Sequence, residues 1–305
     1  MKIVVTGGAG FIGSHVAEIF IEAGHEVMVL DDLSRGKESN IPDGASFVKA
    51  SIINDDLIKI FASFKPQAIC HHAAQISVRD SVADPFTDMK VNIEGMVRTL
   101  EASRQTGVEY FIFASTGGAL YGDQLEYPAP ETHPTYPLSP YGISKLAGEK
   151  YLYFYRRQYG IKGVALRYSN VYGPRQDPEG EAGVVAIFCK ALVEGRSPTI
   201  NGDGTQTRDF VFVRDVAKAN LLALERKVEG EFNIGSGIET NINQVAEKIA
   251  KSAGSNLPFR HGPPKPGEQL RSVLDYSLAK KVLGWVPETQ FDAGIKKTWE
   301  FFERS

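Results

Sequence analysis

The sequence predicts an α/β fold: a doubly wound parallel sheet with a smaller C-terminal α/β lobe. Three observations carry that expectation. The chain opens as strand, glycine turn, helix and strand; short apolar strands then alternate with helical patterns as far as residue 168; beyond it the texture turns Gly/Pro-rich and charged. Such alternation places helices on both faces of a parallel sheet, whose buried strands read as apolar runs.

Residues 2–6, Lys-Ile-Val-Val-Thr, form the first strand, and Gly7-Gly8-Ala9-Gly10-Phe11-Ile12-Gly13 follows at once. Residues 14–23 have helical spacing, with Val16, Ala17, Ile19, Phe20 and Ala23 apolar and Gly24 as the stop. Residues 26–30 are a second strand, running into Asp31-Asp32. These are the parts of a dinucleotide-binding βαβ unit, in order. One glycine permits the tight turn, one admits a pyrophosphate to the backbone N–H groups, and one lets the helix pack on the strand. Two registers fit, Gly8/Gly10/Gly13 and Gly7/Gly10/Gly13. The helix dipole favours the pyrophosphate. Asp31 can accept from both adenosine ribose hydroxyls and repels a 2′-phosphate, which favours NAD over NADP, with Arg35 and Lys37 nearby pulling the other way.

Residues 33–45 read as a polar loop, 46–50 as a strand, and 53–64 as an amphipathic helix with Leu57, Ile58, Phe61 and Phe64 inward. A strand over 67–72 runs into Ala73-Ala74-Gln75, a long helix covers 85–106, and a strand over 110–115 is broken by Gly117-Gly118. Another helix runs from Pro140 to about residue 159. Further on, 184–194 is helical and 197–208 is loop, with Asn201-Gly202-Asp203-Gly204 as turn chemistry. A strand over 210–213, a helix over 215–225 and a strand over 232–234 are expected to return to the first sheet. A helix over 243–253, a loop over 262–267 and two closing helices finish the chain. Residues 1–168 with about 208–235 are thus expected to bind the dinucleotide, and 169–207 with 236–305 to form the second lobe.

Composition narrows the function classes. Across 305 residues, 42% hydrophobic and 23% charged, the net charge is −3, which gives no electrostatic reason to expect nucleic acid or an anionic membrane as partner. No apolar run approaches spanning length, and a strand beginning at residue 2 leaves no room for a signal peptide, so a cytoplasmic location is expected. Cys70 and Cys189 read as buried free thiols, and the scattered histidines (His15, His25, His71, His72, His133, His261) form no metal constellation. His72 reads as a buried strand residue near the cofactor.

Tyr141 and Lys145, at i and i+4, share one helical face. An ammonium beside a phenol, with a positive nicotinamide, favours phenolate, and the tyrosine can then act as base at a hydroxyl that loses hydride.

Together, Thr6 to Gly13 and Tyr141/Lys145 resemble the extended short-chain dehydrogenase/reductase family, whose fold is Rossmann-type. Leu166-Arg167-Tyr168-Ser169-Asn170-Val171-Tyr172-Gly173-Pro174 and Gly202-Asp203-Gly204 with Arg208-Asp209-Phe210-Val211-Phe212-Val213 are similar to its nucleotide-sugar branch, over essentially the whole length. The resemblance implies 4-epimerisation of a UDP-hexose, interconverting UDP-glucose and UDP-galactose through a 4-keto sugar with a retained NAD. It further implies NAD contacts from Gly7, Gly10, Phe11, Ile12, Gly13, Asp31, Asp32, Ser34, Gly36, Lys37, Ser51 and Ile52, with Ser51 in place of the Asp that relatives carry near the adenine. His72, Ala73, Ala74, Gln75, Asn92, Ser115, Tyr141, Lys145 and Tyr168 complete that set. On the substrate side it implies Thr116, Tyr141, Asn170, Val184, Val185, Arg208, Lys265, Glu268 and Ser272; Lys265 stands where many relatives use Arg.

The third catalytic group of the family is a Ser or Thr. Here the stretch Phe113 to Gly122 is one residue longer than the family pattern: counting forward selects Thr116, with Ser115 next to it, and counting back lands on Gly117. Dehydratases and decarboxylases of the branch carry acids in this stretch, where this chain has Gly117, Gly118 and Ala119, which favours epimerisation. Ser272 matches a position that gates the sugar pocket, its small side chain admitting UDP-GlcNAc and UDP-GalNAc. A UDP-glucuronate 4-epimerase or decarboxylase, another nucleotide-sugar oxidoreductase, and a catalytically silent NAD-binding regulator are the alternatives. The family also implies a homodimer, through the helices around residues 85–106 and 140–160.

Overall fold

The computed structural model describes residues 1–179, 183–264 and 269–304. Its first part runs β1 (Lys2–Thr6), α1 (Phe11–Glu22), β2 (Glu26–Asp31), β3 (Ser46–Lys49), α2 (Leu57–Phe64) and β4 (Ala68–His71). Next come α3 (Val78–Ala83), α4 (Pro85–Met89), a π-helical turn (Lys90–Glu94), α5 (Gly95–Thr106), β5 (Tyr110–Thr116), α6 (Gly117–Leu120), α7 (Pro140–Tyr159) and β6 (Lys162–Tyr168). The remainder holds β7 (Asn170–Tyr172), α8 (Val184–Val193), β8 (Thr199–Asn201), β9 (Thr207–Phe212), α9 (Val213–Arg226) and β10 (Gly230–Ile234). It closes with β11 (Glu239–Asn241), α10 (Ile242–Ala253), β12 (Arg260–Gly262), α11 (Ser277–Leu283) and α12 (Phe291–Arg304).

Seven strands form one parallel sheet in the order β3-β2-β1-β4-β5-β6-β10. The chain winds outward from β1 in one direction, then returns to β4 and winds outward in the other. Ligands of such sheets bind where that reversal opens a crevice at the carboxyl ends of the strands. Alternation along β1 sends Ile3 and Val5 to one face, with Val16, Phe20 and Val216, and Val4 to the other, with Phe61, Leu100 and Leu152. A third core, built from Phe188, Phe210, Val245, Ile249 and Ile295, lies in the second lobe.

Five expectations are corrected, the last of them the place of β9. Helix α1 begins at Phe11 and not at residue 14, because Gly10 already serves as its N-cap. Helix α2 begins at Leu57 and not at 53: Asp56 caps it by accepting from Lys59 N–H at 3.0 Å, while Asp55 accepts from Ser51 N–H at 2.7 Å in a preceding turn. The long helix over 85–106 is interrupted by the π-helical turn, and α3 precedes it, capped by Ser77. The expected loop over 197–208 contains β8, which pairs with β12, and the start of β9.

Strand β9 does not return to the large sheet. It lies between β7 and β11 in a three-stranded sheet of its own. Asp209 on β9 explains the diversion. Its buried carboxylate accepts from Ser236 N–H and Oγ at 2.7 Å each, from Gly237 and Leu274 N–H at 3.2 Å, and from Ser169 Oγ at 3.4 Å. A buried carboxylate is tolerated only with such partners, and Asp209 finds them in the segments that leave β6 and β10 and at Leu274. Helix α9 and strand β10 do return, against α1 and β6.

Candidate active site

The glycine turn is tightly packed. Gly7 has φ +68°, its N–H donates to Leu30 O at 2.8 Å, and a Cβ on it would lie 2.6 Å from Ala73 N. A Cβ on Gly13 would run into Gly7 O, and Gly10 N–H donates to that same oxygen at 3.1 Å. These contacts favour the Gly7/Gly10/Gly13 register, although a Cβ on Gly8 would also be crowded, 2.9 Å from Val5 O and 3.0 Å from the Val29 side chain. Gly10 offers no side chain to cap α1, which leaves the first-turn N–H groups of Phe11, Ile12 and Gly13 facing outward as an anion site.

At the end of β2, Asp31 accepts from Ala9 N–H at 3.0 Å and Leu33 N–H at 2.8 Å, which fixes its carboxylate over the turn; burial raises its pKa. Gly36 lies directly over it, since a Cβ there would come within 2.8 Å of Asp31 Oδ1. Asp32 accepts from Ser34 N–H at 2.9 Å, and Lys37 N–H donates to Ala9 O at 3.0 Å, so this loop folds back onto the cradle. Ser51 closes a local turn, its hydroxyl accepting from Ile53 N–H at 3.2 Å, and Ile52 is buried beside Gly95. A cradle without Cβ atoms, an uncapped helix and a fixed acid fit a dinucleotide.

Across the crevice, β4 ends at His71, whose Nδ1 lies 2.9 Å from Thr6 Oγ1 and which burial holds down to about 3. His72 lies just beyond the strand and half-buried, not within it; its Nε2 is 3.2 Å from the Tyr168 hydroxyl, which also meets Asn220. Ala73 and Ala74 line the start of the following turn. Asn92, in the π-helical turn, clamps Gln75 from both sides, accepting from its N–H and donating to its carbonyl at 2.9 Å each.

Ser139 caps α7 through Gly142 N–H at 3.2 Å and so places Tyr141 in the first turn. Lys145, one turn on, is buried; its Nζ donates to Ala114 O at 2.8 Å and lies 5.9 Å from the centroid of the Tyr141 ring. Burial lowers its ammonium to about 8, against the pull of Asp88. On β5, Ser115 and Thr116 point to opposite faces. The Ser115 hydroxyl is buried and donates to Glu149 Oε1 at 2.6 Å, within the buried Glu149–Arg167 ion pair. Thr116 instead caps α6, accepting from Ala119 N–H at 3.2 Å, which leaves its own proton to donate. A Cβ on Gly118 would lie 3.9 Å from both Thr116 Oγ1 and Asn170 Oδ1, so both side chains border this glycine.

Asn170 opens β7 and pairs with Phe210, two residues from Arg208, whose Nη1 donates to Thr207 O at 2.8 Å. Val184 stands half-buried at the start of α8, and the Val185 side chain is fully buried in the lobe core, which leaves its backbone at the helix start as the part able to meet a ligand. Ser272 is buried between Arg271, paired with Glu239, and Val273, whose N–H donates to Gln124 Oε1 at 3.0 Å. Lys265 and Glu268 lie outside the described residues. Sequence reasoning missed Asp88, Ser144 and Glu149. An acid four residues before Asn92 on a helical pattern, and a serine abutting Lys145, were the available signals.

The model of the NAD dependent epimerase/dehydratase family matches residues 3–235. A UDP-glucose 4-epimerase of Mycolicibacterium smegmatis is 46% identical over 308 residues, 99% of this chain and 98% of that protein. The UDP-glucose 4-epimerase of Thermotoga maritima, solved with UDP-glucose, is 47% identical with a TM-score of 0.96, over 100% of this chain and 99% of that one. The Thermus thermophilus UDP-glucose 4-epimerase, solved with NAD, is 46% identical with a TM-score of 0.94, over 99% of each chain.

Proposed function

We propose that this chain, which belongs to the NAD dependent epimerase/dehydratase family, is a UDP-hexose 4-epimerase that uses NAD to interconvert UDP-glucose and UDP-galactose. What carries the reading is full-length likeness to such enzymes in a chain whose Lys145 lies by the Tyr141 ring on α7 and whose first strand runs into a tight glycine turn.

Gly7, Gly10, Phe11, Ile12, Gly13 and Asp31 would hold NAD, with Asn92 fixing the facing turn. When bound, NAD supplies a hydride acceptor for C4 of the hexose and gives the hydride back. Tyr141 takes the 4-hydroxyl proton and later returns it, so the balance of the cycle is zero. Lys145 favours the phenolate by its charge, and Thr116 donates to the C4 oxygen. Asn170, Arg208 and Lys265 hold the diphosphate, Arg208 by a fork suited to phosphate oxygens. The hexose itself must be held loosely, because the 4-keto sugar has to offer its other face before the hydride returns. Binding energy from the UDP supports the chemistry at C4. Residues 1–168 with about 208–235 would serve the cofactor, and 169–207 with 236–305 the UDP-sugar.

The test is turnover of UDP-galactose by purified protein without added NAD, followed by NMR of the sugar protons. UDP-glucose appears if the reading holds; protein that releases NAD on denaturation yet converts no UDP-hexose refutes it. The small, buried Ser272 supports a second substrate class, N-acetylhexosamines, and Ser272→Tyr should abolish turnover of UDP-GalNAc while sparing UDP-galactose. Exposed Phe86 and Met89 on α4 with Ile143 and Phe154 on the adjoining α7 support a homodimer, which sedimentation would detect.

A further inference from the structure

Asp88, at the end of α4, is completely buried. Its Oδ1 accepts from Asn92 Nδ2 at 2.9 Å and from Gln75 Nε2 at 3.4 Å; its Oδ2 accepts from Ser144 Oγ at 2.6 Å. Three segments thus meet on one carboxylate: the turn after β4, the π-helical turn, and the helix that carries Tyr141 and Lys145. A buried carboxylate is costly to keep, and simple packing would be served better by an apolar side chain.

We propose that Asp88 is a positioning residue for the proton-transfer pair, tying the catalytic helix through Ser144 to the clamped turn at Gln75 and supplying the counter-charge of Lys145. The inference rests on reading Tyr141 and Lys145 as that pair. Successive residues on a helix diverge by about 100°. Ser144 therefore faces α4 while Lys145 reaches across to the Ala114 carbonyl, and the bond at Ser144 sets the roll of the helix about its axis. A shift in that roll would move the Tyr141 hydroxyl relative to anything held by the glycine cradle.

The charge acts on the same pair. Burial disfavours the Lys145 ammonium, and Asp88 is the neighbour that opposes the loss of its proton. Burial raises the Asp88 carboxyl above its ordinary value, and the bonds from Ser144 and Asn92, with the charge of Lys145, oppose that rise. The other titratable groups facing Lys145 add no cation at neutral pH: His71 and His72, at the end of β4, are both held down to about 3. Tyr141 and Glu149 lie on its own helix, and Glu149 is satisfied by Arg167. A lysine that lost its proton would no longer favour the Tyr141 phenolate.

The experiment follows the Lys145 ammonium directly, by NMR of protein labelled at lysine Nζ, with Lys145→Arg giving the assignment. In the parent protein the resonance should titrate at about 8. In Asp88→Asn, which keeps the shape and removes the charge, it should titrate about one pH unit lower. Ser144→Ala keeps the carboxylate, so its Lys145 titration should match the parent while kcat for UDP-galactose falls about tenfold. An unmoved titration in Asp88→Asn, or an undiminished kcat in Ser144→Ala, overturns the proposal. If Asp88→Asn does not fold, Ser144→Ala decides alone by the same two readings. The NMR titration needs no substrate, so a parent protein that turns over no UDP-hexose would refute the epimerase reading separately.

Discussion

Ser115 Oγ donates to Glu149 Oε1 at 2.6 Å, and that bond separates two adjacent hydroxyls that the sequence left as rivals. The Ser115 proton is already committed inside the protein, whereas Thr116 keeps one to give. Thr116→Ala should lower kcat for UDP-galactose by about 10²-fold, with a stability loss limited to the α6 cap, about 0.5–2 kcal/mol. Ser115→Ala should do the reverse, lowering the melting temperature more than the rate. Equal kcat losses from both variants, with stability intact, would reassign the hydroxyl.

Glu149 and Arg167 form a buried pair, with Arg167 also donating to the Tyr121 hydroxyl at 2.9 Å. Removing one partner strands the other charge in a dry interior. Glu149→Leu and Arg167→Met should each destabilise the fold by about 3–5 kcal/mol. Urea unfolding would report this as a lower midpoint at constant slope.

The Lys145 ammonium gives opposite pH trends for activity and stability. Its folded pKa of about 8 lies below the ordinary 10.5. Between those values the unfolded chain binds the extra proton, so this group's contribution to stability rises with pH. Activity that needs the charged lysine falls over the same window. Paired kcat and urea titrations from neutral to alkaline pH should show the crossing, and Lys145→Met should remove this contribution to both trends.

Gly13→Ala should abolish cofactor retention, because the added Cβ collides with Gly7 O, which is backbone and has little freedom to yield. The measurement is the NAD released when purified protein is denatured. An alanine variant that releases as much as the parent would show that the helix and the turn can separate.

Much of this was legible in the sequence because it rests on local chemistry. Glycines, β-branched runs and an acid after β2 report backbone needs within a few residues of themselves. Tyr141 and Lys145 were visible for the same reason, as an i, i+4 pair behind Ser139 and Pro140. What escaped depends on partners far along the chain. Strand β9 is apolar enough for either sheet, and its choice follows from donors at Ser236, Gly237 and Leu274. Asp88 went unread because its partner Ser144 is 56 positions away.

The crossing at Ser169 has a mechanical meaning. Strand β6 ends at Tyr168 and β7 begins at Asn170, so the chain passes from the large sheet to the small one within a single residue. That residue is itself held, by Ser169 N–H on Ile234 O at 3.0 Å and by its hydroxyl on Asp209 at 3.4 Å. With no slack there, this joint behaves as a weld and not as a hinge. Wholesale opening and shutting of the two lobes is therefore disfavoured at this joint. The space in which a sugar turns over has to be present in the resting shape, with the loops around it supplying whatever give the cycle requires.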